Sequence, residues 1–241
     1  MTKSSKETVQ KGESGARASR EPSMISKLYL ILYNGVQTIG WSYILFLLIS
    51  YYTIRITDVT LWEYLGVPLL IFQNGAILEI IHAAIGIVRS NVLITTFQVF
   101  SRVMVVCGVL LATPTAIFSP GLPLALLAWS ITEIIRYGFY VLNIIKHVPH
   151  FVTFLRYTTF IILYPIGVTG ELLCFYWAQS YAKGNTIWTL SLPNAANFTF
   201  NYYYFLWIIM LAYIPLFPMM YMHMVSQRKK VLGSGVKCKS S

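Results

Sequence analysis

The sequence predicts an all-α membrane protein in which six transmembrane helices form one bundle. Of its 241 residues, 56% are hydrophobic and only 11% are charged, and its mean hydropathy is +0.64. A soluble domain carries about 25% charged residues. The chain also contains six apolar runs of about the 20 residues that a membrane-spanning helix needs, far longer than the roughly 10-residue strands of a membrane barrel.

In chain order, the apolar runs cover residues 28–50, 66–88, 92–112, 122–145, 152–177 and 202–225. The links between them are short, except for 178–201, whose Pro, Asn, Gly and Thr residues predict a loop. Residues 1–27 are polar and rich in Ser, Lys, Glu and Arg, which predicts a disordered cytosolic tail. The predicted organisation is therefore this tail, a membrane domain over 28–226, and a basic cytosolic tail over 227–241.

The distribution of positive charge predicts that both termini lie in the cytosol. Loops on the cytosolic side of membrane proteins are enriched in Lys and Arg. With the N-terminus placed there, 14 of the 18 Lys and Arg residues fall on the cytosolic side, whereas Arg55 and Lys183 fall on the far side and Arg102 and Arg136 fall within spans. The net charge of +10 is thus a sign of topology, and no nucleic-acid partner is expected.

Neither a disulfide framework nor a metal site is expected. The three cysteines, Cys107, Cys174 and Cys238, have no metal-ligand or redox spacing. Glu79 and His82 form one Glu-x-x-His pair, but a second copy that would complete a di-iron site is missing.

Several ionisable residues lie inside the predicted spans, where charge is costly and side chains face the bundle interior. Glu79 and His82 are three residues apart, as are Glu133 and Arg136, so each pair can share a helix face. Two interpretations stay open for them. They either fix the bundle through hydrogen bonds between helices or contribute to a functional site.

The fifth run contains the segment "YPIGVTGE", which begins at Tyr164 and ends at Glu171. Seven residues make almost two helical turns, so the two side chains share a face about 10 Å apart along the axis. Pro165 removes a backbone hydrogen bond. Gly167 and Gly170 leave room for a neighbouring helix or a ligand. The spacing is consistent with an acid–base pair and also with structural packing.

Residues 82–90 read "HAAIGIVRS". This motif resembles the tyrosine-phosphatase loop His-Cys-x-x-Gly-x-x-Arg-Ser/Thr, but Ala83 occupies the position of the cysteine. A thiolate is the nucleophile of that mechanism, and alanine cannot replace it. The sequence therefore argues against phosphatase activity.

Four longer segments resemble the very-long-chain (3R)-3-hydroxyacyl-CoA dehydratases, a family once called protein tyrosine phosphatase-like. They are "LEIIHAAIGIVRSNVLITTFQVFSR" (78–102), "AWSITEIIRYGFY" (128–140), "RYTTFIILYPIGVTGELL" (156–173) and "SLPNAANFTFNYYYF" (191–205). The resemblance runs from about residue 28 to about residue 232. Two positions depart from it, since family members tend to have Cys in place of Ala83 and Pro in place of Arg89.

The resemblance implies a six-span enzyme of the endoplasmic reticulum that catalyses the third step of fatty-acid elongation. A (3R)-3-hydroxyacyl-CoA loses water and gives a trans-2-enoyl-CoA, without a cofactor. The catalytic tyrosine and glutamate of the family correspond to Tyr164 and Glu171. Which of the two is the acid stays open, with Glu171 favoured as the base. The implied partners are fatty-acid elongases and the ketoacyl and enoyl reductases of the cycle.

Other residues are candidates for substrate binding. Arg136 and Tyr137 could stabilise the thioester oxygen, and Arg89 and Arg156 could bind the CoA phosphates at a pocket mouth on the cytosolic side, together with Lys146, His147 and His150. A non-catalytic scaffold of the elongation complex is the main alternative, although the intact Tyr164 and Glu171 argue against it. A small transporter is a further alternative, but the chain has no internal repeat.

Overall fold

The computed structural model describes residues 23–88, 90–186, 188–195 and 197–237. The candidate Arg89 lies outside the described residues, as do residues 1–22 of the predicted tail and Cys238.

The described residues form eight α-helices. These helices make six spans that are long enough and apolar enough to cross a membrane. The second span is made of α2 and α3, and the third continues from α4 into a π-helical turn, Val106–Leu110. Apart from one antiparallel bridge between Leu190 and Phe200, no β-structure occurs among the described residues. The prediction of an all-α polytopic membrane fold is confirmed. The helices are α1 (Met24–Thr53), α2 (Leu61–Gly75), α3 (Ile77–Ala84), α4 (Val92–Val105), α5 (Gly121–Ile144), α6 (His150–Thr158), α7 (Phe160–Gly184) and α8 (Tyr202–Lys237).

Several helix bounds differ from the predicted runs. Helix α2 begins at Leu61 instead of residue 66, and α7 continues to Gly184 through the first residues of the loop predicted over 178–201. Three other bounds have local reasons. Helix α1 begins four residues early because the Ser23 side chain caps it, accepting a hydrogen bond from the Ser26 amide at 3.2 Å. The fifth span begins at Phe160 because the preceding residues form the separate helix α6, none of whose residues is buried. Helix α8 continues to Lys237, well past the predicted boundary at 226, and the first four residues of this extension, Gln227 to Lys230, favour helix.

Helix α1 shows how the bundle is adapted to lipid. Its outward side chains are apolar, with Leu28 and Ile39 each about 70% exposed (68% and 71%). Its inward side chains include Asn34 and Gln37, which are 5% and 3% exposed. Exposed leucines and buried amides are the reverse of the pattern of a water-soluble bundle. The chain is therefore a multi-pass membrane protein.

The second span breaks at Ala76, and side chains of α1 satisfy the carbonyl groups that the break releases. Inside a continuous helix, the amides of Ala76 and Glu79 would bond the carbonyls of Phe72 and Gly75. Here these two amides bond other carbonyls instead. Gln37 donates to the Phe72 carbonyl at 3.2 Å, and Tyr33 donates to the Gly75 carbonyl at 3.2 Å.

Helix α5 lies between α1 and α7, and α8 packs against α7. Glycines bring α5 and α7 into backbone contact. A Cβ atom on Gly170 would lie 2.6 Å from the Ala125 amide nitrogen, and one on Gly121 would lie 2.2 Å from the Gly170 carbonyl oxygen. The space beside Gly170 is thus filled by α5. This contact places Trp129, one turn after Ala125, beside Glu171.

We expect Gly170→Ala to lower the free energy of unfolding by about 1–3 kcal/mol, because an added methyl group would press against backbone atoms that cannot rotate away. The matched control is Gly138→Ala on α5, where an added Cβ would meet nothing within 4 Å. The measurement is the thermal unfolding midpoint of both variants in the same detergent. Equal midpoints would contradict the close packing of α5 on α7.

Candidate active site

Glu171 is a buried carboxylate that is hydrogen-bonded through both of its oxygens. It lies on α7 and is 6% exposed. The indole Nε1 of Trp129, on α5, donates to Oε1 at 2.9 Å. The hydroxyl of Tyr213, on α8, donates to Oε2 at 2.6 Å. Two other helices therefore fix the position of this carboxylate.

Tyr164 lies on the same helix, seven residues before Glu171, and is half-buried. Its ring stacks on Phe217 with centroids 5.1 Å apart and planes 7° apart, and it lies 6.3 Å from the Tyr221 ring. Phe217 follows Tyr213 by one turn of α8. Tyr164 and Glu171 therefore both contact α8, at adjacent turns.

Arg102, on α4, is a cation close enough to act electrostatically on both Tyr164 and Glu171. Its guanidinium forms an ion pair with Glu133, whose side chain is almost completely buried. The pair on α7 thus adjoins a cluster of charged residues between the helices.

That ion cluster joins α3, α4 and α5. Arg136 donates to Glu79 at 2.5 and 2.7 Å and to Glu133 at 2.5 and 2.8 Å. Tyr137 donates to Glu79. The donor groups of Arg136 and Tyr137 are therefore engaged by carboxylates, and this arrangement favours structural roles over the predicted contacts with a thioester oxygen.

The candidate Arg156 lies on α6, at the end of the bundle that the charge distribution predicts to be cytosolic. Its guanidinium lies over the rings of Tyr140 and Tyr157, 5.8 and 5.9 Å from their centroids, and donates to the Tyr140 hydroxyl at 3.5 Å. The exposed Lys146 and His150 lie in the turn before this helix and at its start. This end of the bundle thus carries clustered positive charge.

Two surface clefts of about 420 and 400 Å³ open at the opposite end of the bundle. One is lined by the end of α7 and the start of α8, and the other by the α1–α2 link and the start of α5. Neither is lined by Tyr164 or Glu171. We therefore do not assign them to the site on α7.

Within the described ranges, no three His, Cys, Asp or Glu side chains are grouped closely enough to hold a metal ion. Cys107 and Cys174 are free thiols.

Trp129, Tyr213 and Phe217 are not among the site residues that the sequence predicts. All three lie within apolar runs. Each is brought to α7 by another helix, so no spacing within one helix could have revealed it.

Comparison with known proteins identifies the family of the chain. Residues 73–234 match the family model described as Protein tyrosine phosphatase-like protein, PTPLA. The chain is 45% identical over 216 residues to Very-long-chain (3R)-3-hydroxyacyl-CoA dehydratase 2 of Mus musculus. The aligned residues cover 90% of this chain and 85% of the mouse protein. No solved structure matches.

More distant organisms contain similar proteins. Identity is 46% over 217 residues to Very-long-chain (3R)-3-hydroxyacyl-CoA dehydratase hpo-8 of Caenorhabditis elegans, covering 90% of this chain and 100% of the worm protein. It is 34% over 212 residues to Very-long-chain (3R)-3-hydroxyacyl-CoA dehydratase PASTICCINO 2 of Arabidopsis thaliana, covering 87% of this chain and 95% of the plant protein.

Proposed function

Since the chain belongs to the protein tyrosine phosphatase-like family, we propose that it is a very-long-chain (3R)-3-hydroxyacyl-CoA dehydratase whose catalytic residues are Tyr164 and Glu171. It is a hydro-lyase, as the names of its relatives indicate. The observation that carries the choice of residues is the buried carboxylate of Glu171, held by Trp129 and Tyr213 on the same helix as the half-buried Tyr164.

The reaction requires two proton transfers at adjacent carbon atoms. A base removes a proton from C2 of the acyl chain, and an acid protonates the hydroxyl group that leaves C3. Glu171 and Tyr164 are groups that can exchange protons, and both contact α8 at adjacent turns. Their positions support a substrate lying between α7 and α8, with C2 and C3 between the two side chains.

The location of the pair within a span suits an acyl chain. Tyr164 lies one turn into α7 and Glu171 about two turns further. We infer that the thioester enters from the cytosolic end while the apolar tail lies along the helices or in lipid. The charged CoA group then stays outside the membrane, near the basic end of the bundle.

Charge reversal of Arg156 tests the position of the CoA group. We expect Arg156→Glu to raise KM by about tenfold and to leave kcat within a factor of two, because the loss of a phosphate contact weakens binding without changing the chemistry. The matched control is Arg55→Glu, since Arg55 is exposed at the other end of the bundle. An unchanged KM for acyl-CoA would contradict this placement.

The cellular context is also part of the proposal. The relatives are named for a very-long-chain acyl-CoA reaction, and a membrane enzyme of that chemistry fits the endoplasmic reticulum with both termini in the cytosol. Fatty-acid elongases, which supply its substrate through a ketoacyl reductase, and the enoyl reductase that consumes its product are the proposed partners. The main alternative is a scaffold that binds these enzymes without turnover.

One experiment separates the enzyme from the scaffold. The chain is expressed in microsomes that lack endogenous dehydratase, and a long-chain (3R)-3-hydroxyacyl-CoA is supplied. We expect trans-2-enoyl-CoA to accumulate far above the level in microsomes without the chain. A well-folded protein that yields no enoyl-CoA would favour the scaffold.

A further inference from the structure

We infer that Trp129 and Tyr213 are positioning residues that hold Glu171 as an ionised carboxylate aimed at the substrate, which makes Glu171 the base and Tyr164 the proton donor. This inference rests on the proposed function, because it assigns roles within the proposed catalytic pair. The sequence by itself left the two roles open.

The first argument is the chemistry of the donors. An indole N–H can only donate a hydrogen bond, so Oε1 of Glu171 must accept the bond from Trp129. The Tyr213 hydroxyl donates to Oε2. A carboxylate that accepts on both oxygens is in the form to which such bonds are strongest. The site is therefore arranged around the unprotonated carboxylate, which is the form that a base needs.

The second argument is the rigidity of the two donors. Trp129 is 5% exposed and belongs to the core of the bundle, one turn after the close contact of Ala125 with Gly170. The Tyr213 ring packs edge-on against Phe175, with centroids 6.0 Å apart. Donors from α5 and α8 thus fix both the location and the rotation of the carboxylate.

The third argument is the state of Tyr164. Within the described part of the chain, its hydroxyl has no hydrogen-bond partner, and both oxygens of Glu171 are occupied by other donors. Stacking on Phe217 holds the Tyr164 ring while its O–H stays available. A hydroxyl placed in this way can donate to the oxygen that leaves C3 of the substrate.

The assigned roles give a balanced reaction. Glu171 takes the C2 proton, the electron pair of the C2–H bond forms the C2–C3 double bond, and the C3–O bond breaks. Tyr164 gives its proton to the departing oxygen, so water leaves. Glu171 is then neutral and Tyr164 is a phenolate, and one proton passed from Glu171 to Tyr164 restores the starting state.

The test uses Tyr213→Phe and Trp129→Phe, which remove one donor each and keep an aromatic ring. The full-length variants are assayed with (3R)-3-hydroxyacyl-CoA that carries hydrogen or deuterium at C2. We expect each variant to lower kcat by about tenfold or more with KM within a factor of two, and to show a primary deuterium isotope effect, because a misplaced base makes C2–H cleavage rate-limiting. The isotope effect does not depend on how much protein is folded.

Tyr204→Phe and Trp207→Phe on α8 serve as matched controls, because both residues are exposed and neither is one of the two donors to Glu171. We expect both to behave as the wild type does. An unchanged kcat in the donor variants, or a lower kcat without a primary isotope effect, would overturn the inference. If the wild type is active under those outcomes, the proposed function stands and only the assignment of positioning and base roles fails. If the wild type makes no enoyl-CoA, the proposed function itself fails.

Discussion

Glu171→Gln is expected to lower kcat for dehydration by about 10²- to 10⁴-fold, the range that a positioned acid or base contributes. Glutamine keeps the size of the side chain and an oxygen that can accept from Trp129 or Tyr213, but it cannot take a proton from C2. The assay is formation of trans-2-enoyl-CoA at matched protein levels. Thermal unfolding of the same preparations shows whether the bundle is intact.

Tyr164→Phe belongs to the same prediction and should lower kcat over the same range, because it removes the O–H and keeps the ring stacked on Phe217. The matched controls are Glu63→Gln and Tyr176→Phe, since Glu63 caps the start of α2 and Tyr176 is 61% exposed on α7. Both should turn over substrate as the wild type does. Loss of less than a factor of three in either site variant would remove that residue from the catalytic pair.

Glu133→Ala is expected to destabilise the bundle by about 3–5 kcal/mol, the cost of removing one partner from a buried ion pair. Glu133 binds Arg102 and Arg136 together, so its loss leaves two cations without their shared partner. Arg136 keeps Glu79, but Arg102 has no second carboxylate among the residues that the structure describes. The expected result is a markedly lower thermal unfolding midpoint in detergent.

Asp58→Ala is the control for this prediction, because Asp58 is an exposed carboxylate in the link between α1 and α2. Its midpoint should match that of the wild type. A stable Glu133→Ala protein with reduced turnover would contradict the structural role and would move the ion cluster into the active site.

The phosphatase-like motif at residues 82–90 has a structural explanation. His82 and Ala83 are buried near the end of α3, and the His82 ring bonds the Tyr29 hydroxyl at 2.9 Å. Gly86 has a φ of +79°, and the amide of Ile87 bonds the His82 carbonyl. These are features of a helix that stops at a glycine. Residues 82–88 are therefore the end of a helix and the turn after it. This agrees with the conclusion drawn from the absent cysteine.

The fold could be predicted almost completely from the sequence. Each span could be predicted from a local stretch of sequence, because the length of an apolar run decides whether a helix can cross the membrane. The errors lie at helix bounds. At 24–27 and 152–159 a serine cap and a separate short helix override hydropathy, and at 61–65, 178–184 and 227–237 the helices are longer than the apolar runs. The break at Ala76 also escaped prediction, since the groups that stabilise it, Tyr33 and Gln37, belong to another helix.

The candidate site also has one part that the sequence predicts and another part that it does not. Tyr164 and Glu171 could be paired from the sequence because both lie on one helix, where 3.6 residues per turn fix their relative positions. Trp129 and Tyr213 each lie 42 residues from Glu171, and Glu79 lies 57 residues from Arg136. The choice of these partners depends on how each helix is rotated and shifted against its neighbours. Packing between helices sets that rotation, through contacts such as the one between Gly121 and Gly170, and so only the tertiary structure could decide it.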